Sequence, residues 1–386
     1  MKIAIIIPGD LPVPPVKGGA IENLVYTLIK ENEVSEKPIN IDLYGINADF
    51  NDTYNTNQKY TRYIMANETP KVFENKVIAG ICYRINYSYF LEKTINNIRE
   101  KEYDYIIIQN RPSYIKKISS NNNSKIILHM HNEHLTKNID YQSELELCHM
   151  IFVVSEYIKN TIVQRYEIDP DKIKVIHNGI DNSKFCVVSK EQKNKLRKRF
   201  NLRKEDFVIL FTGRMIKEKG ILQLINSVLN IKGDIKLLVV GAKNFANSDN
   251  DDFTSLLHEK CRNMEDKIIF TGYIDYEEVP NVYSIADIAV LPSIFNDPFP
   301  LAVLECMSVG LPIISTVSGG IPEMVNSKCG TLILRDENLE DNLKNTIINY
   351  YENRESLDVI SKECEKRVKN FFTNEKFYKR FIKYLK

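Results

Sequence analysis

Short apolar runs alternate with helix-length polar or amphipathic segments along almost the whole chain of 386 residues. In the first half the apolar runs are residues 3–7, 41–44, 105–108, 126–128 and 151–154. In the second half they are residues 207–211, 237–240, 268–270, 288–291 and 313–314. Runs of this kind are typical of strands that are buried on both faces of a parallel sheet. The pattern predicts an α/β protein with two successive Rossmann-like sheets.

The two series of strands place a domain boundary near residue 185. The turn residues 177–181 (HNGID) end the last strand of the first series. Residues 1–185 are therefore expected to form the first Rossmann-like domain and residues 186–370 the second. Residues 371–386 alternate aromatic and basic side chains. This pattern predicts a C-terminal helix that packs back on the first domain.

Composition narrows the function classes. The net charge is +1, so nothing favours a duplex nucleic-acid binder, which normally carries a strongly basic field. Seven cysteines are scattered without a C-x-x-C pair, which favours a reducing cytoplasm without a disulfide framework or zinc site. No secretion signal is visible and no apolar run is long enough to span a bilayer. The sequence predicts a cytoplasmic protein whose membrane contact, if any, is peripheral, at the inner face.

Two loops that follow first strands carry candidate phosphate ligands. After residues 3–7 comes the pair Gly18-Gly19, whose backbone amides and following helix favour an anion. A turn without a ligand is an equally good interpretation of that pair alone. After residues 207–211 comes Gly213, followed by Arg214 and Lys219. A guanidinium and an ammonium there are suited to a pyrophosphate; Lys217 is a competing candidate for Lys219.

A third segment places two acids around a helix. Asp297 follows the strand at residues 288–291, and Glu305 lies within a helix expected over residues 299–309. Ligands of open α/β sheets bind at the carboxyl ends of the strands, where Asp297 is predicted. A capping Asp followed by a solvated Glu is the structural alternative. It does not account for the insert Asp297-Pro298-Phe299-Pro300 at the helix start.

These segments together resemble glycosyltransferase family 4, a retaining group with the GT-B fold. The resemblance spans nearly the whole chain, because the turn at residues 178–181 and the Thr-Gly-Tyr at residues 271–273 also resemble family landmarks in the right order. It implies that the first domain takes the acceptor and the second takes a nucleotide-sugar donor. It implies catalytic roles for Arg214, Lys219, Asp297 and His131, and donor contacts from Gly18, Gly19, Gly213, Tyr273, Phe299, Pro300, Leu301 and Glu305.

The family pattern assigns a role to each acid of its E-x7-E motif. By this resemblance Glu305 accepts hydrogen bonds from the ribose hydroxyls, and the first acid contacts hydroxyls of the donor sugar. Arg214 and Lys219 hold the diphosphate, with the Gly19 amide nearby. This chain departs from the pattern because Asp297 replaces the usual Glu, giving D-x7-E. We interpret the change as a variant enzyme with altered sugar contact.

Histidines and acids raise the question of a metal. Residues 126–134 (IILHMHNEH) include three of the six histidines. By resemblance His131 hydrogen-bonds a hydroxyl near the donor sugar, and Glu133 is either an acceptor contact or a plain loop acid. We treat His129 and His131 as pointing to opposite sides of the strand, which argues against zinc. Residues 249–252 resemble a D-x-D motif, but they lie in a polar stretch that is typical of a surface loop. The resembling family is metal-independent, and neither metal nor cofactor is expected.

For two basic segments we favour an ordinary structural role over a binding role. Cations at residues 193, 195 and 197–199 are expected to lie on a solvated helix face, although an anion site is the alternative. Residues 71–101 mix aromatic and basic side chains, namely Phe73, Tyr83, Tyr87, Tyr89 and Phe90 with Lys71, Lys76, Arg84 and Lys93. A helix packed on the sheet is favoured over a membrane-binding face for a lipid-linked acceptor.

The sequence thus predicts a retaining, metal-independent glycosyltransferase of the hexosyltransferase type. It moves a sugar from a nucleotide diphosphate donor, expected to be a UDP-sugar, to a saccharide or lipid-linked saccharide in bacterial surface-glycan synthesis. One alternative is a catalytically weakened relative that serves a structural role in surface or coat assembly. A second is sugar epimerisation on UDP, which requires acid and base residues that the sequence does not identify.

Overall fold

The computed structural model describes residues 1–16, 19–47, 58–68, 76–136, 139–241 and 252–385. The chain divides into two compact units. The first comprises Met1–Asn178 together with Phe377–Lys386, and the second comprises Gly179–Lys376. The division lies earlier in the chain than residue 185, and the C-terminal segment that joins the first unit begins at Phe377 rather than at residue 371.

The first unit is built on a parallel sheet of seven strands in the order β3-β2-β1-β4-β5-β6-β7. The strands are β1 (Lys2–Ile6), β2 (Asn40–Asn47), β3 (Thr61–Glu68), β4 (Tyr105–Gln109), β5 (Lys125–Met130), β6 (Met150–Val153) and β7 (Ile173–Val175). Strand order reverses direction between β1 and β4, which pair in parallel with Ile3 opposite Tyr105. The crevice beyond the carboxyl ends of these two strands is where ligands of open α/β sheets bind.

The second unit is built on a parallel sheet of six strands in the order β10-β9-β8-β11-β12-β13. The strands are β8 (Phe207–Thr212), β9 (Ile235–Val240), β10 (Ile268–Gly272), β11 (Ile288–Leu291), β12 (Ile313–Thr316) and β13 (Gly330–Ile333). Here the order reverses between β8 and β11, with Ile209 opposite Ile288. The prediction of two Rossmann-like sheets is therefore confirmed.

Helices connect the strands of both sheets. Those of the first unit are α1 (Ala20–Glu33), α2 (Lys76–Ile98), α3 (Ile115–Ser119), α4 (Gln142–Glu146) and α5 (Glu156–Arg165). Those of the second unit are α6 (Lys190–Lys198), α7 (Ile221–Leu229), α8 (Asp252–Lys260), α9 (Val279–Ser284), α10 (Leu301–Ser308), α11 (Ile321–Met324), α12 (Leu339–Glu352) and α13 (Leu357–Phe371). The last helix, α14 (Asn374–Lys383), lies mostly in the first unit. Within the described residues no helix is long and apolar enough to cross a bilayer.

Two strands, β3 and β13, were missed by the sequence pattern, and β7 was indicated only by the turn at residues 177–181 that follows it. All three lie at a sheet edge. An edge strand is covered by only one neighbour, so it needs a shorter or less apolar run than a central strand. β3 reads TRYIMANE and β7 has only three residues. The central strands β1, β4 and β8, by contrast, are apolar and buried along nearly their whole length.

The expectation that α6 presents only solvated cations was wrong. Arg197 is 3% exposed, and its guanidinium donates to the carbonyl of Ile285 at 2.9 Å and to the carboxylate of Asp287 at 2.7 Å. Lys193 donates to Asp287 from the same helix face at 2.8 Å. These two cations therefore anchor α6 to the loop before β11, while Arg199 remains exposed. Two positions four apart on a helix share one face, which the charge count alone does not reveal.

The C-terminal helix α14 completes the core of the first unit. Phe381 packs edge-on against Phe152 of β6, with ring centroids 5.7 Å apart, and is itself fully buried. The hydroxyl of Tyr378 donates to the side-chain oxygen of Asn32, at the end of α1, at 2.9 Å. Asn32 is also buried and bonds the backbone of Ile39 in both directions. The last residues of the chain thus bond directly to its first helix.

The aromatic-basic segment falls partly outside the described residues. Lys71 and Phe73 lie in the stretch that the structure does not describe. The side chains of Lys76, Tyr83 and Arg84 are not described either. Farther along α2, Phe90, Leu91 and Ile95 are buried, whereas Tyr89 is 45% exposed with Lys93 over its ring. The described part of α2 therefore packs one face inward and leaves the other to solvent.

Candidate functional site

The predicted phosphate and sugar ligands of the second unit meet where its strand order reverses. The loop after β8 carries Arg214 and Lys219, and the loop after β11 carries Asp297. β8 and β11 are direct neighbours in the sheet. Because parallel strands end at one edge, the two loops lie side by side above the crevice of this sheet.

Contacts between the two loops leave no room for a side chain at Gly220. A Cβ added there would lie 2.0 Å from the carbonyl oxygen of Pro292, and the residue has a positive φ of +71°. Nearby, the amide of Ile294 donates to the carbonyl of Glu218 at 2.9 Å. The glycine of the Lys-Gly pair is therefore required by close approach of the loops, as well as by its backbone conformation.

Lys219 and Asp297 form an ion pair across the loops. The ammonium of Lys219 donates to Asp297 Oδ2 at 2.5 Å. The side chain of Lys219 is 21% exposed and that of Asp297 only 8%. The ammonium also lies 5.1 Å from the ring centroid of Phe295, within the range of a cation–π contact. Lys217, the competing candidate, is exposed and begins a short 3₁₀ turn.

The backbone of Asp297 is held by the turn after β12. Its carbonyl accepts from the amide of Gly320 at 2.8 Å, and its amide donates to Ser318 Oγ at 3.3 Å. A Cβ at Gly319, whose φ is +51°, would lie 2.0 Å from the Asp297 carbonyl oxygen. The Gly-Gly turn therefore packs directly beneath the first acid of the motif and fixes its position.

Arg214 differs from Lys219 in its surroundings. Its side chain is exposed, and none of the hydrogen bonds or ion pairs among the described residues involves its guanidinium. The preceding Gly213 has a φ of +138°, and a Cβ there would meet nothing within 4 Å. The start of this loop is thus open, and Arg214 is available to bind an anion from solvent.

Glu305, the second acid, is buried in α10 beneath two tyrosines. The hydroxyl of Tyr276 donates to Oε1 at 3.4 Å and that of Tyr283 donates to Oε2 at 3.3 Å. Burial raises the pKa of Glu305 to about 7, against hydrogen bonds from both tyrosines that lower it. The hydroxyl of Tyr283 also hydrogen-bonds Thr212 at the end of β8. The acid is therefore tied to the same sheet edge as Arg214.

The two tyrosines were not identified from the sequence. Tyr283 lies in α9 among apolar residues, in a setting typical of an ordinary core residue. Tyr276 follows the Thr-Gly-Tyr landmark by three residues, which was the available signal. Its ring is 44% exposed and lies under the ammonium of Lys184, 4.1 Å from the ring centroid. Burial and the neighbouring Glu305 raise the pKa of Tyr276, so its hydroxyl remains a donor.

The other expected donor contacts are placed as follows. Tyr273 is 50% exposed, beyond the end of β10. Phe299 is buried and packs edge-on against Phe372, with centroids 5.8 Å apart. Pro300 caps α10, which begins at the partly exposed Leu301. The ring of Phe299 thus serves packing, whereas Tyr273 and Leu301 reach the surface. The expected helix over residues 299–309 is slightly shorter in the structure.

The glycine pair of the first unit has an unexpected neighbour. Gly18 lies outside the described residues. Gly19 precedes α1 with a φ of +103°, and a Cβ there would lie 2.1 Å from Glu22 Oε2. Glu22 is buried, and burial together with the charge of Asp10 raises its pKa to about 7. The side chain of α1's own first turn therefore occupies the space beside Gly19, where the sequence predicted an external anion.

Asp10 itself pairs with Arg111, from the loop after β4. Arg111 also donates to the carbonyl of Pro8 at 3.4 Å, and its guanidinium lies 5.4 Å from the ring centroid of Tyr87. These contacts join the loops after β1 and β4 at the reversal point of the first sheet. The sequence did not point to this pair, because its members are 101 residues apart.

His131 follows β5 and is held by a glutamine. Its Nε2 lies 2.8 Å from Gln109 Oε1, and since an amide oxygen only accepts, Nε2 carries the proton. Burial lowers the pKa of His131 to about 3, so the ring is neutral at physiological pH. Its Nδ1 is an acceptor that has no partner among the described residues. The atom is buried, so a hydroxyl can reach it only if the ring or its surroundings move.

The expectation that His129 and His131 point to opposite sides of the strand was wrong. Their ring centroids are 4.1 Å apart, as the two-residue period of a strand requires. His129 is buried, and Phe152 and Phe381 pack around it.

No group of three or more potential metal ligands is found among the described residues. Residues 249–251 of the D-x-D-like stretch lie outside those residues, and Asp252 begins α8. Glu133 accepts from the hydroxyl of Tyr157.

Solved structures share this fold over the whole chain. Sucrose-phosphate synthase from Thermosynechococcus elongatus is similar with a TM-score of 0.78 and 20% identity, covering 100% of this chain and 98% of its own. HepE of Anabaena, solved in complex with UDP, is similar with a TM-score of 0.76 and 18% identity, covering 100% and 99%. At such identities the likeness is one of fold.

Two family models match consecutive parts of the chain. The Glycosyltransferase Family 4 model matches residues 67–184, and the model of Glycosyl transferases group 1 matches residues 192–367. The two matches together cover well over half of the sequence. The chain is a GT-B glycosyltransferase of group 1 and family 4. Arg214, Lys219, Asp297 and Glu305 all lie within the part of this glycosyltransferase that the group 1 model matches.

Relatives of this glycosyltransferase cover nearly its full length. YtcC of Bacillus subtilis, whose name assigns it to the glycosyltransferases, is 28% identical over 387 residues, covering 97% of this chain and 89% of its own. Spore coat protein SA of the same organism is 25% identical, covering 94% of both chains. The lipopolysaccharide 1,2-N-acetylglucosaminetransferase of Salmonella typhimurium is 26% identical over 60% of each chain.

Proposed function

We propose that this glycosyltransferase transfers a sugar, with retention of anomeric configuration, from a UDP-sugar to a saccharide or lipid-linked saccharide. The observation that carries the proposal is the convergence of Arg214, Lys219, Asp297 and Glu305 at the strand-order reversal of the second sheet. The anion-binding groups lie after one central strand and the acids after its neighbour, as a nucleotide diphosphate with a sugar requires.

Each group has a chemical role in this proposal. Transfer breaks the bond between the anomeric carbon and the phosphate oxygen while negative charge builds on the departing phosphate. Arg214 and Lys219 supply the opposing charge, each charge-assisted hydrogen bond contributing about 1.5–3 kcal/mol. Glu305 accepts hydrogen bonds from the ribose hydroxyls.

The retaining outcome follows from attack on the face of the leaving group. The departing phosphate oxygen takes the acceptor hydroxyl proton, so the enzyme supplies no nucleophile. The two cations provide the counter-charge that a divalent ion supplies in other transferases, and the proposed reaction is metal-independent and needs no cofactor besides the nucleotide sugar.

Names of relatives support the donor and acceptor classes. HepE of Anabaena was solved with UDP and with UDP-glucose. Another relative, 28% identical over 55% of this chain, is the UDP-Gal:alpha-D-GlcNAc-diphosphoundecaprenol alpha-1,3-galactosyltransferase of Escherichia coli. The acceptor in its name, a GlcNAc-diphosphoundecaprenol, is a lipid-linked saccharide. We therefore propose surface-glycan synthesis as the process, with catalysis at the inner face of the membrane.

Calorimetric titration with UDP, GDP and ADP in excess chelator tests the donor site. We expect UDP to bind selectively, and Arg214→Ala to weaken UDP binding by roughly 10- to 100-fold, since it removes one charge-assisted contact. Arg199→Ala removes an exposed arginine of α6 and serves as the matched control with unchanged binding. Absence of binding by all three nucleotides to the folded protein would refute the donor-site assignment.

A further inference from the structure

The ion pair between Lys219 and Asp297 is shorter and more buried than an ordinary solvent-exposed salt bridge. The two charged atoms are 2.5 Å apart, and the Asp297 side chain is 8% exposed. Exposed pairs gain little because water screens them, but a pair with one nearly buried partner is screened much less. The carboxylate therefore neutralises one of the two cations assigned to the diphosphate.

Asp297 has little freedom to leave this position. Ser318 and Gly320 hydrogen-bond its backbone, and Gly319 packs against its carbonyl with no space for a side chain. An aspartate has a single methylene between backbone and carboxylate, so a fixed backbone fixes the reach of the charge. Rotation about its own side-chain bonds can turn the carboxylate, but its distance from a fixed Cα stays the same, so the charge remains near the Lys219 ammonium in the structure.

This geometry determines the net charge that the two loops present to a ligand. Lys219 and Asp297 cancel, whereas the guanidinium of Arg214 is exposed and makes no ion pair among the described residues. A diphosphate that approaches Lys219 must share its ammonium with a carboxylate held a few ångströms away. Like charges at that separation repel appreciably when partly shielded from water.

Building on the proposed function, we propose that Asp297 is the built-in counter-ion of Lys219 and limits the affinity of the site for the nucleotide diphosphate itself. The first acid of the D-x7-E motif then acts as a positioning residue on the phosphate side of the donor. The product nucleotide, which has no sugar, experiences the same repulsion and leaves more readily. A residue that only contacts the sugar would have no effect on a nucleotide without one.

The test is UDP binding, with no sugar attached, to the wild type, Asp297→Asn and Asp297→Glu. Asp297→Asn keeps the size and removes the charge, so we expect UDP to bind about 5- to 30-fold tighter, from the loss of one partly shielded repulsion. Asp297→Glu keeps the negative charge beside Lys219, so most of the repulsion remains and UDP affinity is expected to stay within about threefold of the wild type. The gain of Asp297→Asn should shrink as salt is raised, because salt screens the repulsion.

Two results overturn the inference. Unchanged or weaker UDP binding by Asp297→Asn, beside normal binding by the wild type, refutes it and leaves the proposed function intact. Absence of UDP binding by the wild type overturns both together. If Asp297→Asn does not fold, Asp297→Ser removes the same charge with a smaller side chain. Tighter UDP binding by Asp297→Ser supports the inference, and unchanged binding refutes it.

Discussion

Glu305 is predicted to make the protein less stable as the pH rises. Burial raises its pKa from 4.5 to about 7, so the folded protein holds a proton there that the unfolded chain has released. At about 1.4 kcal/mol per pKa unit, keeping the carboxylate ionised in the fold costs about 3 kcal/mol. Glu305→Gln removes the ionisation and keeps nearly the same shape, and it therefore removes this cost.

The sign and the pH range follow from the two pKa values. Below about pH 4.5 both states are protonated and the charge costs nothing. As the pH rises to about 7 the unfolded state binds fewer protons than the folded state, so wild-type stability falls relative to the variant. Above that pH the cost is constant. We expect the free energy of unfolding of Glu305→Gln, relative to the wild type, to increase by about 2–3 kcal/mol between pH 5 and pH 8.

Urea unfolding of both proteins at several pH values measures the difference directly. Glu22, whose pKa is also raised to about 7, is present in both proteins and cancels. Glu352→Gln, at an exposed position near the end of α12, is the control and should show a difference that does not depend on pH. If the Glu305→Gln difference stays constant to within about 0.5 kcal/mol, the usual limit for surface changes, Glu305 is not a buried neutral acid and the reasoning is refuted.

Two further predictions concern the fold around the site. Gly319→Ala should lower the free energy of unfolding by about 3 kcal/mol, because it combines a positive φ with a Cβ 2.0 Å from the Asp297 carbonyl oxygen. Gly272→Ala, at a φ of +70° with nothing within 4 Å, is the matched control with a loss of about 1 kcal/mol; equal losses would contradict the packing argument. Arg197→Ala should cost about 1.5–3 kcal/mol, because it removes a charge-assisted hydrogen bond to Asp287 while Lys193 still pairs with that carboxylate. The exposed Arg199→Ala should change the free energy of unfolding by less than about 0.5 kcal/mol in the same denaturation assay.

The sequence predicts the central strands well because each must be apolar on both faces. It also predicts which loops carry the site, since parallel strands present their carboxyl ends at one edge. It misses β3 and β13, and indicates β7 only by the turn that follows it, because edge strands need no continuous apolar run. The two-residue period of a strand places His129 and His131 on the same side, contrary to the expectation from the sequence.

Other features depend on contacts that no local pattern encodes. Asp287 lies 90 residues from Arg197, and Glu305 lies 29 residues from Tyr276. The pairing of Lys219 with Asp297 joins residues 78 apart in the sequence. A list of charged residues therefore predicts which groups can bind a phosphate, but not which of them the fold has already neutralised. That information requires the three-dimensional structure.

The return of the chain to the first unit has a consequence for synthesis. Phe381 and Tyr378 complete the packing around Phe152 and Asn32, yet they are translated after the entire second unit. During synthesis the second unit can fold while the first unit still lacks helix α14. A single cut at the Asn178-Gly179 boundary likewise cannot yield a complete first unit, because its last part lies beyond residue 376. Folding of the first unit thus depends on residues that are synthesised after the whole second unit.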